Sequence, residues 1–133
     1  MDYRRHIIAL REFGKVGPKG FQLLLLHFGS PEKVFSASVE EISSLPRVSR
    51  KKAETILAAE EKLPEVDRML EDLETNNIQI ATLLDENYPE LLKQIDDPPP
   101  LLYFKGEFPN PESTNTVAIV GTIKATQPGI ARA

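Results

Sequence analysis

Residues 116–129 read TVAIVGTIKATQPG, and this stretch decides what kind of fold the chain enters. Val117, Ala118, Ile119 and Val120 form a short apolar run, the pattern of a strand buried on both faces of a parallel sheet. Gly121 ends the run, and a loop of small and polar residues follows, Thr122 to Gly129. Rossmann-type folds use a strand, a Gly-led loop and a helix to bring backbone N–H groups and a helix N-terminus to a phosphate. The chain ends at Ala133, so the expectation is the opening of a nucleotide- or nucleic-acid-binding domain that this chain does not complete.

Outward from that stretch, composition sets the bounds. The 133 residues suffice for one ordinary domain or two small ones. There is no cysteine and there are two histidines, His6 and His27, so no disulfide framework, cysteine-based metal site or cofactor is expected. No apolar run approaches the roughly 20 residues that span a bilayer. The N-terminus lacks a signal-peptide core, and a cytoplasmic protein is expected. The net charge of −4 is unevenly spread. Residues 1–62 carry 11 Lys and Arg against 8 Asp and Glu, while residues 63–133 carry 5 against 12. Any polyanion contact should therefore favour the N-terminal half.

That half reads as helices. Tyr3, Ile7, Leu10 and Phe13 repeat at helical spacing over 2–13, and Gly14 suits a C-cap. A second helix runs from Pro18 through Phe21–Phe28 to Gly29; it is apolar nearly all round and should be the central helix of a small bundle. Ser30-Pro31 starts a third. Ser38 with Glu41 makes a capping box. Leu45–Leu57 gives a turn and another helix, extended to Lys62, and Glu65–Asn76 a further one. Beyond it, Ile78–Leu83 and Leu101–Lys105 read as strands, with a short helix over Glu90–Ile95 and the proline run Pro98–Pro100 between them.

Two segments of the helical half are alike. Lys15-Val16-Gly17-Pro18-Lys19 and Arg47-Val48-Ser49-Arg50-Lys51 each precede an apolar helix. Helix-hairpin-helix turns place Gly, an apolar residue and Gly here, so that backbone N–H groups and a following cation meet phosphate. Lys15 and Arg47 stand where the first Gly belongs and Ser49 replaces a second, so only Gly17 fits. Nonspecific DNA contact by Lys19, Arg50, Lys51 and Lys52 is one reading. The other, which the missing glycines favour, is two plain helical corners with solvated lysines.

The stretch DENYPELLKQIDDPPPLLYFKGE, Asp85–Glu107, followed by VAIVGTIKATQPG, Val117–Gly129, resembles the DNA-processing protein A (DprA/Smf) family. The resemblance rests on Tyr88, Pro89, Leu92, Pro99, Pro100, Leu102, Tyr103, Gly106, Val117 to Thr122, Ala125 and Gly129 in one order. The N-terminal helices are similar to the helical domain that many members carry. The resemblance implies an α+β chain. A SAM-like, helix-hairpin-helix bundle over 1–63 would precede the incomplete start of a Rossmann-like domain over 64–133. It also implies single-stranded-DNA binding in natural transformation and recombination, protection of incoming DNA, help in loading RecA, and no catalytic step. In the family, a Gly-Ser/Thr-Arg loop meets phosphate. Gly121 and Thr122 match it, while Ile123 replaces the arginine and Lys124 supplies only a point charge.

DNA-binding candidates are thus Gly121, Thr122, Lys124, Lys19, Arg50, Lys51 and Lys52; no catalytic or metal-ligating residue is expected. The expectation is a truncated N-terminal portion with weak or absent DNA binding of its own, and possible self-association through the open edge of a Val117–Val120 strand. Two alternatives are a helical protein-interaction module, if Phe21–Phe28 exposes an apolar face, and a nucleotide-using enzyme, for which paired carboxylates at Gly121 are missing.

Overall fold

The computed structural model describes residues 3–107, 117, 120–124 and 126–128. Among these, α1 (Tyr3–Ile8) runs into a π-helical turn (Ala9–Phe13), followed by α2 (Pro18–Phe28), α3 (Pro31–Phe35), α4 (Val39–Ser43) and α5 (Arg50–Ala58). A 3-10 turn (Ala59–Lys62) leads into α6 (Leu63–Thr75). Then come β1 (Gln79–Thr82), α7 (Glu90–Lys93) and β2 (Leu101–Phe104). The fold is α+β: mostly helical, with one small antiparallel sheet in which Gln79 faces Phe104 and Thr82 faces Leu101.

Local chemistry sets the helix starts. Ser30, Ser38 and Ser49 each accept a backbone N–H from three residues on, and Ser38 with Glu41 completes the capping box. Pro18, Pro31 and Pro64 stand in first turns, where their missing N–H costs nothing. Gly29 closes α2 at φ 82, the left-handed cap that glycine adopts without a Cβ clash.

The centre of the core is α1 and its π turn, not α2. Ile7, Ile8, Ala9 and Leu10 are fully buried in succession. Of α2, only Phe21 and Leu24 are buried, and Leu26 is 86% exposed. The expectation that the most apolar helix would be central is corrected by this arrangement. The α2 helix lies over the core and turns one side outward, whereas the widened π turn lets four consecutive residues of the first helix point inward. A single exposed leucine is ordinary for a protein surface.

Gly14 follows from that turn. Its N–H bonds to Ala9 O at 2.9 Å and the Val16 N–H to Leu10 O at 2.9 Å, so the backbone folds back on itself. A Cβ at Gly14 would stand 2.8 Å from Leu10 O. The residue is held in right-handed geometry (φ −70), so closeness and not a left-handed cap requires glycine.

The sheet lies on the helices. Leu101 of β2 belongs to the same core as Ile7, Phe21 and Val66 of α6, and Ile80 of β1 packs against it. The expected boundary between 63 and 64 falls at the start of α6. The expected strand Val117–Val120 lies partly outside the described residues. Val117 and Val120 stand outside any strand and are 88% and 91% exposed. Ala125 and Gly129 are also outside the described set. No described helix is long and apolar enough to cross a membrane.

Candidate nucleic-acid interface

The two similar segments fold alike, residue for residue. Lys15 has φ 51 and Arg47 has φ 63. The next residue, Val16 or Val48, packs into the core. Gly17 and Ser49 then take the same extended geometry (φ −78, ψ 174 and φ −77, ψ 160) ahead of α2 and α5. The first helical bonds match as well: Phe21 N–H to Gly17 O and Ala53 N–H to Ser49 O, both 2.9 Å. The hairpin geometry therefore exists with Gly17 as the sole glycine of the two turns. A side chain in the left-handed region costs about 1–2 kcal/mol, and the apolar plug that follows each turn offsets it.

This equivalence pairs the cations. Lys19 corresponds to Lys51, each two residues past its N-cap, and both are exposed. Lys19 stands 3.9 Å from Asp97, a loose surface pair worth little in solution. Arg50 faces Glu40 at 3.1 Å and Glu54 at 3.4 Å, so two carboxylates compete for its guanidinium. Lys15 and Arg47, absent from the expected set, are exposed at the turns themselves. Their signal was present in the sequence as the position of the missing glycines.

Lys52 is different. Its Nζ donates to Gly14 O at 3.0 Å and to Lys15 O at 2.6 Å, across to the other hairpin. Burial, and then the charge of Lys15, hold its ammonium below the ordinary lysine range. Gly121, Thr122 and Lys124 are exposed. Thr122 Oγ1 accepts the Lys124 N–H at 3.1 Å, and a Cβ at Gly121 would meet nothing within 4 Å.

The acidic-x-x-Tyr-Pro segment is structural in its contacts. Asp85 is buried; its Oδ2 accepts the Thr82 N–H at 2.7 Å, and its Oδ1 accepts from Arg4 Nη2 at 3.1 Å and from the Tyr3 hydroxyl. Burial pushes this carboxyl up, but the bonds from Tyr3, Thr82 and Arg4 outweigh it and hold it below the ordinary range. The Tyr88 hydroxyl, also buried, donates to Pro99 O. On the other strand, Tyr103 donates to Glu12 Oε1 at 3.1 Å; burial first, and then the Glu12 charge, raise that phenol. Among the described residues no cluster of three or more His, Asp or Glu is placed to hold a metal.

Residues 79–133 match the DNA recombination-mediator protein A family, and residues 8–60 match a SAM-like helix-hairpin-helix tandem. Protein Smf of Synechocystis sp. is 30% identical over 121 residues, which are 91% of this chain and 30% of Smf. UvrABC system protein C of Pseudomonas putida is 40% identical over 55 residues, 41% of this chain and 9% of that protein. Its counterpart in Pseudomonas protegens is 43% identical over 54 residues. The chain thus spans under a third of the Smf relative. No solved structure matches.

Proposed function

From a chain that belongs to the DNA recombination-mediator protein A family, we propose a single-stranded-DNA-binding function in transformation and recombination, with protection of incoming DNA and assistance to RecA loading. Residues 1–63 form the helical unit in this reading, and 64–133 open the Rossmann-like domain. The observation that carries it is the repeated turn: two left-handed basic residues, Lys15 and Arg47, lead into two helices that present Lys19 and Lys51 at matching exposed places. Arg50 adds charge to the second turn, and Gly121, Thr122 and Lys124 form a separate polar loop. The reading assigns no catalytic step.

The binding by this chain alone is weak, because few cations contribute and Ile123 takes the place of the loop arginine. Anisotropy of a labelled single-stranded oligonucleotide, titrated at several salt concentrations, tests it. Each phosphate contact contributes a log–log slope of about −0.7 on a single strand. We expect a shallow negative slope that flattens by about 1.4 when Lys19→Met and Lys51→Met are combined. Binding that ignores salt, or a slope that the double variant leaves alone, would sink the proposal.

A further inference from the structure

We propose that Lys52 is a positioning residue: it locks the two hairpin turns into one rigid surface instead of meeting phosphate itself. The lock is read from geometry alone, and its consequence for DNA rests on the function proposed above.

The first turn leaves two carbonyls, Gly14 O and Lys15 O, at the end of a helix, where no intrahelical N–H reaches them. Lys52 fills both with one ammonium, at 3.0 and 2.6 Å, from 38 and 37 residues away in sequence. These carbonyls flank the left-handed Lys15, so the bond holds the strained turn from outside. Lys52 is the third residue past the Ser49 cap, and Ser49 Oγ accepts its own N–H at 3.2 Å, which fixes the base of the side chain. The matching residue past Gly17 is Gly20, which has no side chain to reach back. The lock therefore runs one way, from the second hairpin's helix to the first hairpin's turn. Two of the three ammonium donors are committed inside the protein. Lys51, next in the chain, has its side chain exposed, which makes it the natural comparison.

The test uses the full chain with Lys52→Met, Lys52→Gln, Lys52→Arg and Lys51→Met. Amide hydrogen exchange of Gly14 and Val16 reads the lock. Lys52→Met should speed both by about tenfold; Lys52→Arg, which still donates to carbonyls, should restore protection, and Lys51→Met should change nothing. Lys52→Gln, if Lys52→Met fails to fold, should show the same acceleration. Unchanged exchange in the Met or Gln variant overturns the lock. Oligonucleotide titration reads the consequence. Lys52→Met should weaken binding several-fold at low salt and Lys52→Arg should recover it. If Lys52→Met instead copies Lys51→Met, with a flatter salt slope and intact exchange, Lys52 is a phosphate contact and the proposal fails. A parent chain without salt-sensitive binding overturns the proposed function and with it the DNA consequence, while exchange still decides the lock.

Discussion

The Tyr88 hydroxyl donates to the Pro99 carbonyl at 2.8 Å, joining the turn that follows β1 to the proline run that enters β2. The proline run cannot hold itself by backbone donors, since proline has no N–H. Tyr88 is a donor brought to it from 11 residues away. Replacing Tyr88 with Phe keeps the ring and strands the carbonyl. Urea unfolding should show a loss of about 1–2 kcal/mol, with the helical signal at 222 nm intact below the transition. A loss under a few tenths would mean that water replaces the bond without cost.

Asp85 gives a pH signature. Its folded pKa lies below the ordinary value because the bonds from Tyr3, Thr82 and Arg4 outweigh burial. A depressed carboxylate stabilises the fold fully above its unfolded pKa of about 3.9. That contribution fades as pH falls through the lower folded value. Asp85→Asn should therefore cost about 2 kcal/mol at pH 7, the partly exposed Arg4 being screened by solvent. The gap between parent and variant should narrow as the pH falls from 7 to below the ordinary carboxylate range. Equal gaps at both ends of that range would show that the charge is not what matters.

Gly14→Ala should destabilise by about 1–3 kcal/mol. The added Cβ meets a backbone oxygen, Leu10 O, at 2.8 Å, and backbone yields less readily than a side-chain tip. Thermal unfolding measures it. The same substitution at Gly17, where a Cβ would meet nothing within 4 Å, should change stability by less than half as much.

Lys15→Gly and Arg47→Gly should be neutral or stabilising by up to about 1 kcal/mol each. Relief of left-handed strain competes there with the extra freedom of glycine in the unfolded chain. Urea unfolding of each single variant and of the pair measures this. A clear loss of stability in either would mean that the side chain, and not the turn, holds the hairpin.

Much of the helical half was legible because its signals are local. Ser30, Ser38 and Ser49 cap where hydroxyls and the proline positions imply, and β1 and β2 fall within the expected apolar stretches. The role of α2 was misread because a helix apolar all round says nothing about which face a neighbour covers. The π turn was invisible because it depends on a close approach between Gly14 and Leu10. The hairpins looked defective, since glycine is the residue that left-handed backbone prefers, yet the buried Val16 and packed Val48 impose the turn on Lys15 and Arg47. Of the candidate site, Lys19 and Lys51 were marked by spacing, and the structure leaves both exposed. The inward bond of Lys52 was not, because nothing in a run of basic residues tells which one has a carbonyl partner 38 positions away.

Leu101 and Val66 in one core have a consequence for dividing the chain. The two family resemblances, 8–60 and 79–133, leave a gap between them that looks like a place to cut. The packing says otherwise. A hairpin tandem cut free at that gap would lose Leu101 and Ile80 from its apolar core. Here β2 helps to complete that core, with Leu101 lying among Ile7 and Val66 as well as in its own sheet.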